Sequence, residues 1–105
     1  MNITEIMENL SKNQLLKPLL YRKEVIIEVS NNEMTFFFSL HEEGVFIVDD
    51  ETSPNIRIRG KQNELIEIFT GKIKLQQSIK MGLIKFEGTY RSLLNLESIL
   101  WMNSE

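Results

Sequence analysis

The sequence predicts an α+β domain, a five-stranded and mainly antiparallel sheet covered on one face by helices. Three observations predict it. Short alternating runs follow one another between residues 23 and 59, broken by turn residues. Apolar residues at helical spacing bracket those runs on both sides. In the stretch Gly82 to Leu100, an alternating segment then turns at Gly88 into a leucine-spaced one, a strand running directly into a helix.

Taken in order, Ile3, Ile6, Met7 and Leu10 recur at i, i+3, i+4 and i+7, with Asn2 or Thr4 as caps. The spacing predicts a helix from about residue 3 to residue 16. Pro18 ends it, because proline disfavours the helical region for the residue before it. In KEVIIEVS, Val25, Ile27 and Val29 share one face of a first strand. Asn31-Asn32 is a turn dipeptide able to adopt positive φ. The second strand, EMTFFFSL, puts Met34, Phe36, Phe38 and Leu40 on one face and Thr35, Phe37 and Ser39 on the other. Together they read as a β-hairpin.

His41-Glu42-Glu43-Gly44 is a second turn, and VFIV after it is a strand apolar on both faces. The polar stretch Asp49 to Asn55, with Pro54, predicts an exposed loop free of metal. Ile56 and Ile58 face inward on a fourth strand, with Arg57 and Arg59 outward. Leu65, Ile68 and Phe69 form a helical stripe stopped at Gly71. Ile73, Leu75, Ile79 and Met81 predict a further short helix stopped at Gly82. Ile84 and Phe86 then face inward while Lys85 and Glu87 face solvent. Thr89 caps a closing helix carrying Tyr90, Leu93, Leu94, Leu96, Ile99 and Leu100. Four consecutive strands with tight turns predict an antiparallel meander. The fifth joins either at an edge or between earlier strands.

A chain of 105 residues, 42% hydrophobic and 26% charged, is a single globular domain spanning residues 1–105. It has no cysteine, so disulfide and thiolate chemistry are excluded and a reducing, cytoplasmic setting is expected. The N-terminus lacks the basic start of a signal peptide, and no apolar run is long enough to insert in a membrane. The net charge is −3, but five acids stand between residues 42 and 51 without one base, whereas residues 57–91 hold eight bases against three acids. The solvated faces of strands and helices account for this, with an anion-attracting rim as the sharper alternative. An acidic chain overall excludes a nucleic-acid partner.

No catalytic constellation emerges. His41 is the one histidine and sits in a turn beside Glu42 and Glu43, which is too few ligands for a metal. Asp49, Asp50 and Glu51 lack EF-hand spacing. Ser30, Ser39, Ser53 and Ser92 lack a nucleophile elbow. Gly60, Gly71, Gly82 and Gly88 stand at element ends rather than in a phosphate-cradling loop. A non-enzyme without cofactor is expected. The strongest candidates are apolar. Phe36, Phe38, Phe46, Phe69 and Phe86, with Met34 and Met81, fall on predicted core faces, where they either fill a core or line a ligand tunnel.

The run IRIRG, ELIEIFTGK, KMGLIKFEG and SLLNLESIL resembles the sterol carrier protein type-two domain family from Ile56 to Leu100, with G-x-(I/L)-K-x-x-G read as GLIKFEG. The first half agrees in element order. With no peroxisomal tripeptide at Asn103-Ser104-Glu105, the small stand-alone prokaryotic members are the expected match. The resemblance implies a non-enzymatic carrier with an apolar cavity for a fatty-acyl or other lipid between sheet and helices. The implied lining is Met34, Phe36, Phe38, Phe46, Leu65, Phe69, Met81, Ile84, Phe86 and Leu94. Lys72, Lys74 or Lys80 would hold an acidic head group. The alternative is an accessory or scaffold module, monomer or homodimer, that docks a protein partner over a collapsed cavity.

Overall fold

The computed structural model describes residues 3–12, 18, 20–49 and 53–102. Helix α1 spans Ile3–Ser11 and buries Ile3, Ile6, Met7 and Leu10, the stripe its spacing dictates. The helix stops at Ser11 with Lys12 in a turn, short of the expected residue 16, and residues 13–16 lie outside the described residues. Strand β1 (Glu24–Ser30) pairs antiparallel with β2 (Thr35–His41), and β2 with β3 (Gly44–Val48). The chain then returns to the far side of β1. Strand β4 (Ile56–Gly60) lies parallel to β1, and β5 (Ile84–Glu87) closes the sheet antiparallel to β4, giving the order β3-β2-β1-β4-β5.

The expected four-strand meander is therefore corrected to a three-strand meander plus a crossover. Alternation fixes which face of a strand is buried but not which strand is its neighbour. Here the neighbour is set by Asn55, whose N–H donates to the Ile26 carbonyl at 2.8 Å while its Oδ1 accepts from the Ile26 N–H at 2.8 Å. The expected Asp49–Asn55 loop is described only at its two ends.

Register settles the two faces. Val25, Ile27 and Val29 lie beside Leu40, Phe38 and Phe36 across the β1–β2 ladder, and Ile56 and Ile58 beside Ile27 and Val29. Ile84 and Phe86 continue this inner face on β5, while Lys85 and Glu87 are exposed, as their alternation predicts. Helices α1, α2 (Gln62–Phe69), α3 (Leu75–Lys80) and α4 (Tyr90–Met102) supply the other half of one buried cluster. From α4 it takes Leu93, Leu96, Ile99 and Leu100; Thr89 caps that helix, its Oγ1 accepting from the Ser92 N–H at 3.1 Å. At ~25 cal/mol per Å² of apolar surface, each fully buried Leu or Ile contributes about 1.5–3 kcal/mol.

Helix α3 is held to α4 at its start, where Glu97 accepts from the Gln76 N–H at 3.0 Å and from its side-chain amide at 2.6 Å. Farther along, Ser78 is buried and its Oγ has no hydrogen-bond partner among the described residues. An unpaired buried hydroxyl costs about 1–3 kcal/mol. Ser78→Ala removes the cost without opening a cavity, so it is expected to raise stability by about 0.5–1.5 kcal/mol. Urea titration checks this: a destabilised variant would mean that Oγ is paired through an internal water.

Candidate functional site

A sizeable concavity lies at the end of the sheet where three elements converge. Asn31 builds it. Its side-chain oxygen accepts from the N–H groups of Glu33 at 2.8 Å and Met34 at 2.7 Å, closing the β1–β2 turn. Its own N–H donates to the Met34 carbonyl at 2.9 Å. The expected positive φ at Asn31 or Asn32 is not used, because this side-chain closure supplies the turn instead. Asn31 Nδ2 donates to Gln62 Oε1 at 2.7 Å, tying the turn to the first residue of α2.

Between this tie and the start of α1 opens a cleft of about 600 Å³, lined by Ile3, Thr4, Asn32, Glu33, Met34 and Phe36 besides Asn31 and Gln62. That volume falls within the range of small-molecule sites, about 300–1,000 Å³. The floor is apolar, and Phe36 there stacks on the buried Phe38 with ring centroids 6.0 Å apart. The cleft thus abuts the space between sheet and helices. Its polar rim contains amides and a hydroxyl, and its one charged side chain is Glu33.

The residues singled out in the sequence divide into three groups. Met34 and Phe36 line the cleft. Phe38, Leu65, Phe69 and Ile84 are buried in the central cluster, with Phe86 packed against it. The rest are corrected outward from their expected core positions. Phe46 is 49% exposed and, being paired with Ser39, lies on the sheet face opposite Phe38. Met81 is 59% exposed just past the end of α3, and Leu94 is 38% exposed on the outer side of α4. Met34 also departs from a core position, since the regular β2 pairing ends at Thr35 and leaves it 55% exposed at the cleft rim.

The lysines expected at the mouth are elsewhere as well. None of Lys72, Lys74 and Lys80 lines the cleft, and Lys74 Nζ sits 4.8 Å from the centre of the Trp101 ring, a cation–π contact. Sequence reading missed Ile3, Thr4, Asn31 and Gln62 as a group. The Asn31-Asn32 dipeptide marked a turn, but nothing along the chain placed it beside the starts of two helices. On the open face, Arg57 bridges Glu28 at 3.6 Å and Glu87 at 3.5 Å, so one of the eight bases expected to form an anion-attracting rim is paired with carboxylates instead. Among the described residues no group of three or more His, Cys, Asp or Glu side chains is placed to hold a metal ion, and no helix is long and apolar enough to cross a membrane.

Comparison with known proteins bears on this arrangement. The SCP2 domain-containing protein YusD of Bacillus subtilis (strain 168) is 32% identical over 105 residues, covering 99% of this chain and 92% of its own. The solved structure of a UbiJ-SCP2 ubiquinone synthesis protein superimposes with a TM-score of 0.73 at 12% identity, covering 95% of this chain and 85% of that one. The palmitated SCP2L2 of Aedes aegypti superimposes with a TM-score of 0.65 at 13% identity, covering 95% of both chains. At such identities the two structural likenesses establish the fold alone. Residues 3–100 match the SCP-2 sterol transfer family, and the chain belongs to that family.

Proposed function

We propose that the protein binds and carries an apolar or amphipathic small molecule, a fatty-acyl compound or other lipid, without catalysis. The observation that carries this reading is the cleft of about 600 Å³ whose apolar floor, Phe36, stacks on the buried Phe38. The ligand's body enters between sheet and helices, and its head stays at the rim. Palmitate in the name of the Aedes aegypti structure supports a lipid-sized occupant for this fold. The rim selects the head group. Gln62 and Thr4 offer donors, and Glu33 is the only charge, so an uncharged head is favoured over a carboxylate.

A second reading, an accessory module with the cavity collapsed, draws on the burial of Phe38, Leu65, Phe69 and Ile84 in one closed cluster. An open apolar space of ~300 Å³ left empty would cost about 7 kcal/mol at ~24 cal/mol per Å³. A carrier of this size must therefore hold its ligand or close around the vacancy. Titration of delipidated protein separates the two readings. A fluorescent fatty alcohol is expected to bind more tightly than the fatty acid of equal length, and Phe36→Asp is expected to weaken both at least ~10-fold, about 1.4 kcal/mol. If neither probe binds below ~100 μM, about 5.5 kcal/mol, the carrier reading fails and the accessory module stands.

A further inference from the structure

The two edges of the sheet are built differently. The β5 edge carries Lys85 and Glu87, charges of the kind that keep an open edge from pairing. The β3 edge carries Val45, Phe46, Ile47 and Val48 with no charge inside the strand. A continuous apolar run is the pattern of a strand covered on both faces. Val45 packs against the buried cluster, but beyond it neither face is closed, with Phe46 49% exposed on one and Ile47 65% exposed on the other. His41 stacks on Phe46, with ring centroids 5.0 Å apart and planes inclined by 16°.

The main chain of this edge is also partly free. His41 and Gly44 face each other across a two-residue turn, so Gly44, Phe46 and Val48 direct their N–H and C=O groups at β2. Val45 and Ile47 direct theirs outward. Ser11 Oγ accepts from the outward Val45 N–H at 3.0 Å, and among the described residues no strand pairs with the outward Ile47 peptide groups.

The chain's charge decides what can pair there. Glu42 and Glu43 precede the strand, Asp49 follows it, and no base stands among residues 42–49. A second copy laid antiparallel on this edge would set acid against acid at both ends. The geometry points to β3 as a docking edge for a partner protein. The partner would supply an extended segment with alternating apolar residues and with lysine or arginine at its flanks, added to the sheet as a sixth strand. This surface is separate from the cleft, so docking and carrying can be read independently.

The test uses a fluorescein-labelled peptide, Lys-Lys-Val-Thr-Val-Thr-Val-Lys-Lys, with an acidic counterpart in which glutamate replaces each lysine. The basic peptide is expected to bind at least ~10-fold tighter than the acidic one, and to weaken as salt shortens the Debye length from ~10 Å at 0.1 M. The double variant Glu42→Lys, Glu43→Lys is expected to abolish the preference, with its binding of a fluorescent fatty alcohol unchanged. Backbone N-methylation of the basic peptide, or Ile47→Lys in the protein, is expected to abolish binding, and hydrogen exchange at the Ile47 amide to slow in the complex. Three results would overturn the proposal: no binding of the basic peptide, binding that survives N-methylation, or light scattering that shows a dimer disrupted by Ile47→Lys.

Discussion

Phe38→Ala is expected to cost about 3–5 kcal/mol of unfolding free energy, against a total of about 5–15 kcal/mol for a domain of this size. Phe38 is almost fully buried and lies at the middle of the inner face, between Ile27 on β1 and Ile47 on β3, with Phe36 stacked beside it. Its neighbours are β-strand side chains fixed by ladder hydrogen bonds, so the vacated space has little freedom to collapse. The loss should appear in delipidated protein as a lower urea midpoint with an unchanged slope. The matching control is Phe46→Ala on the next strand. Its ring is half exposed on the opposite face, and its loss is expected to cost under ~1 kcal/mol. Equal costs at the two positions would refute the assignment of faces.

That pair also shows which parts of the fold were legible in the sequence. On β4 and β5 apolar and polar residues alternate, as they do on β1 apart from Ile26, and a period of two has only one way to meet a core. Val25, Ile27, Val29, Ile56, Ile58, Ile84 and Phe86 accordingly fall on the inner face. The run Val45–Val48 has no alternation, so nothing in it said whether Phe46 or Ile47 pointed inward, and its edge position depends on the β1–β4 pairing made elsewhere. Helix stripes were legible in α1 and in part of α4, but not in α3, which buries Leu75 and Ser78 and leaves Met81 exposed. The buried residues of α1 are the ones its spacing selects, and Leu94 and Tyr90 stand apart on α4 because Leu93, Leu96, Ile99 and Leu100 already complete a face.

The site was less legible for a different reason. A cleft assembled from the start of α1, one turn and the start of α2 is a product of topology, and its polar members carry no periodic signal. Gln62 was an ordinary first residue of a helix until Asn31 was found 2.7 Å away. Lys72, Lys74 and Lys80 do not line the cleft, and spacing along a short helix and its flanks does not say which way a side chain points. In the folded protein Lys74 is drawn to Trp101, away from the cleft rim.

Gly44→Ala is the second substitution expected to have a large effect, about 2–4 kcal/mol, and its cost has two separable parts. Gly44 has a φ of +136°, a conformation that residues with a Cβ rarely adopt. A Cβ built there would also sit 2.5 Å from Ser11 Oγ. That hydroxyl has no easy retreat, because it accepts the Val45 N–H at 3.0 Å and so joins the end of α1 to the edge strand. Gly82→Ala isolates the backbone part: its φ is +73° and no atom lies within 4 Å of the added Cβ, so about 1–2 kcal/mol is expected. The contact part is isolated by Ser11→Ala. Alone, that change exposes the Val45 N–H to water at an open edge and is expected to cost about 0.5–1 kcal/mol. In the Gly44→Ala background it removes the clash as well, and is expected to be neutral or stabilising. The resulting coupling of about 1 kcal/mol or more would be read from a double-mutant cycle in urea. Coupling below ~0.3 kcal/mol would mean that φ alone requires glycine at position 44, and that Ser11 yields without loss of its hold on β3.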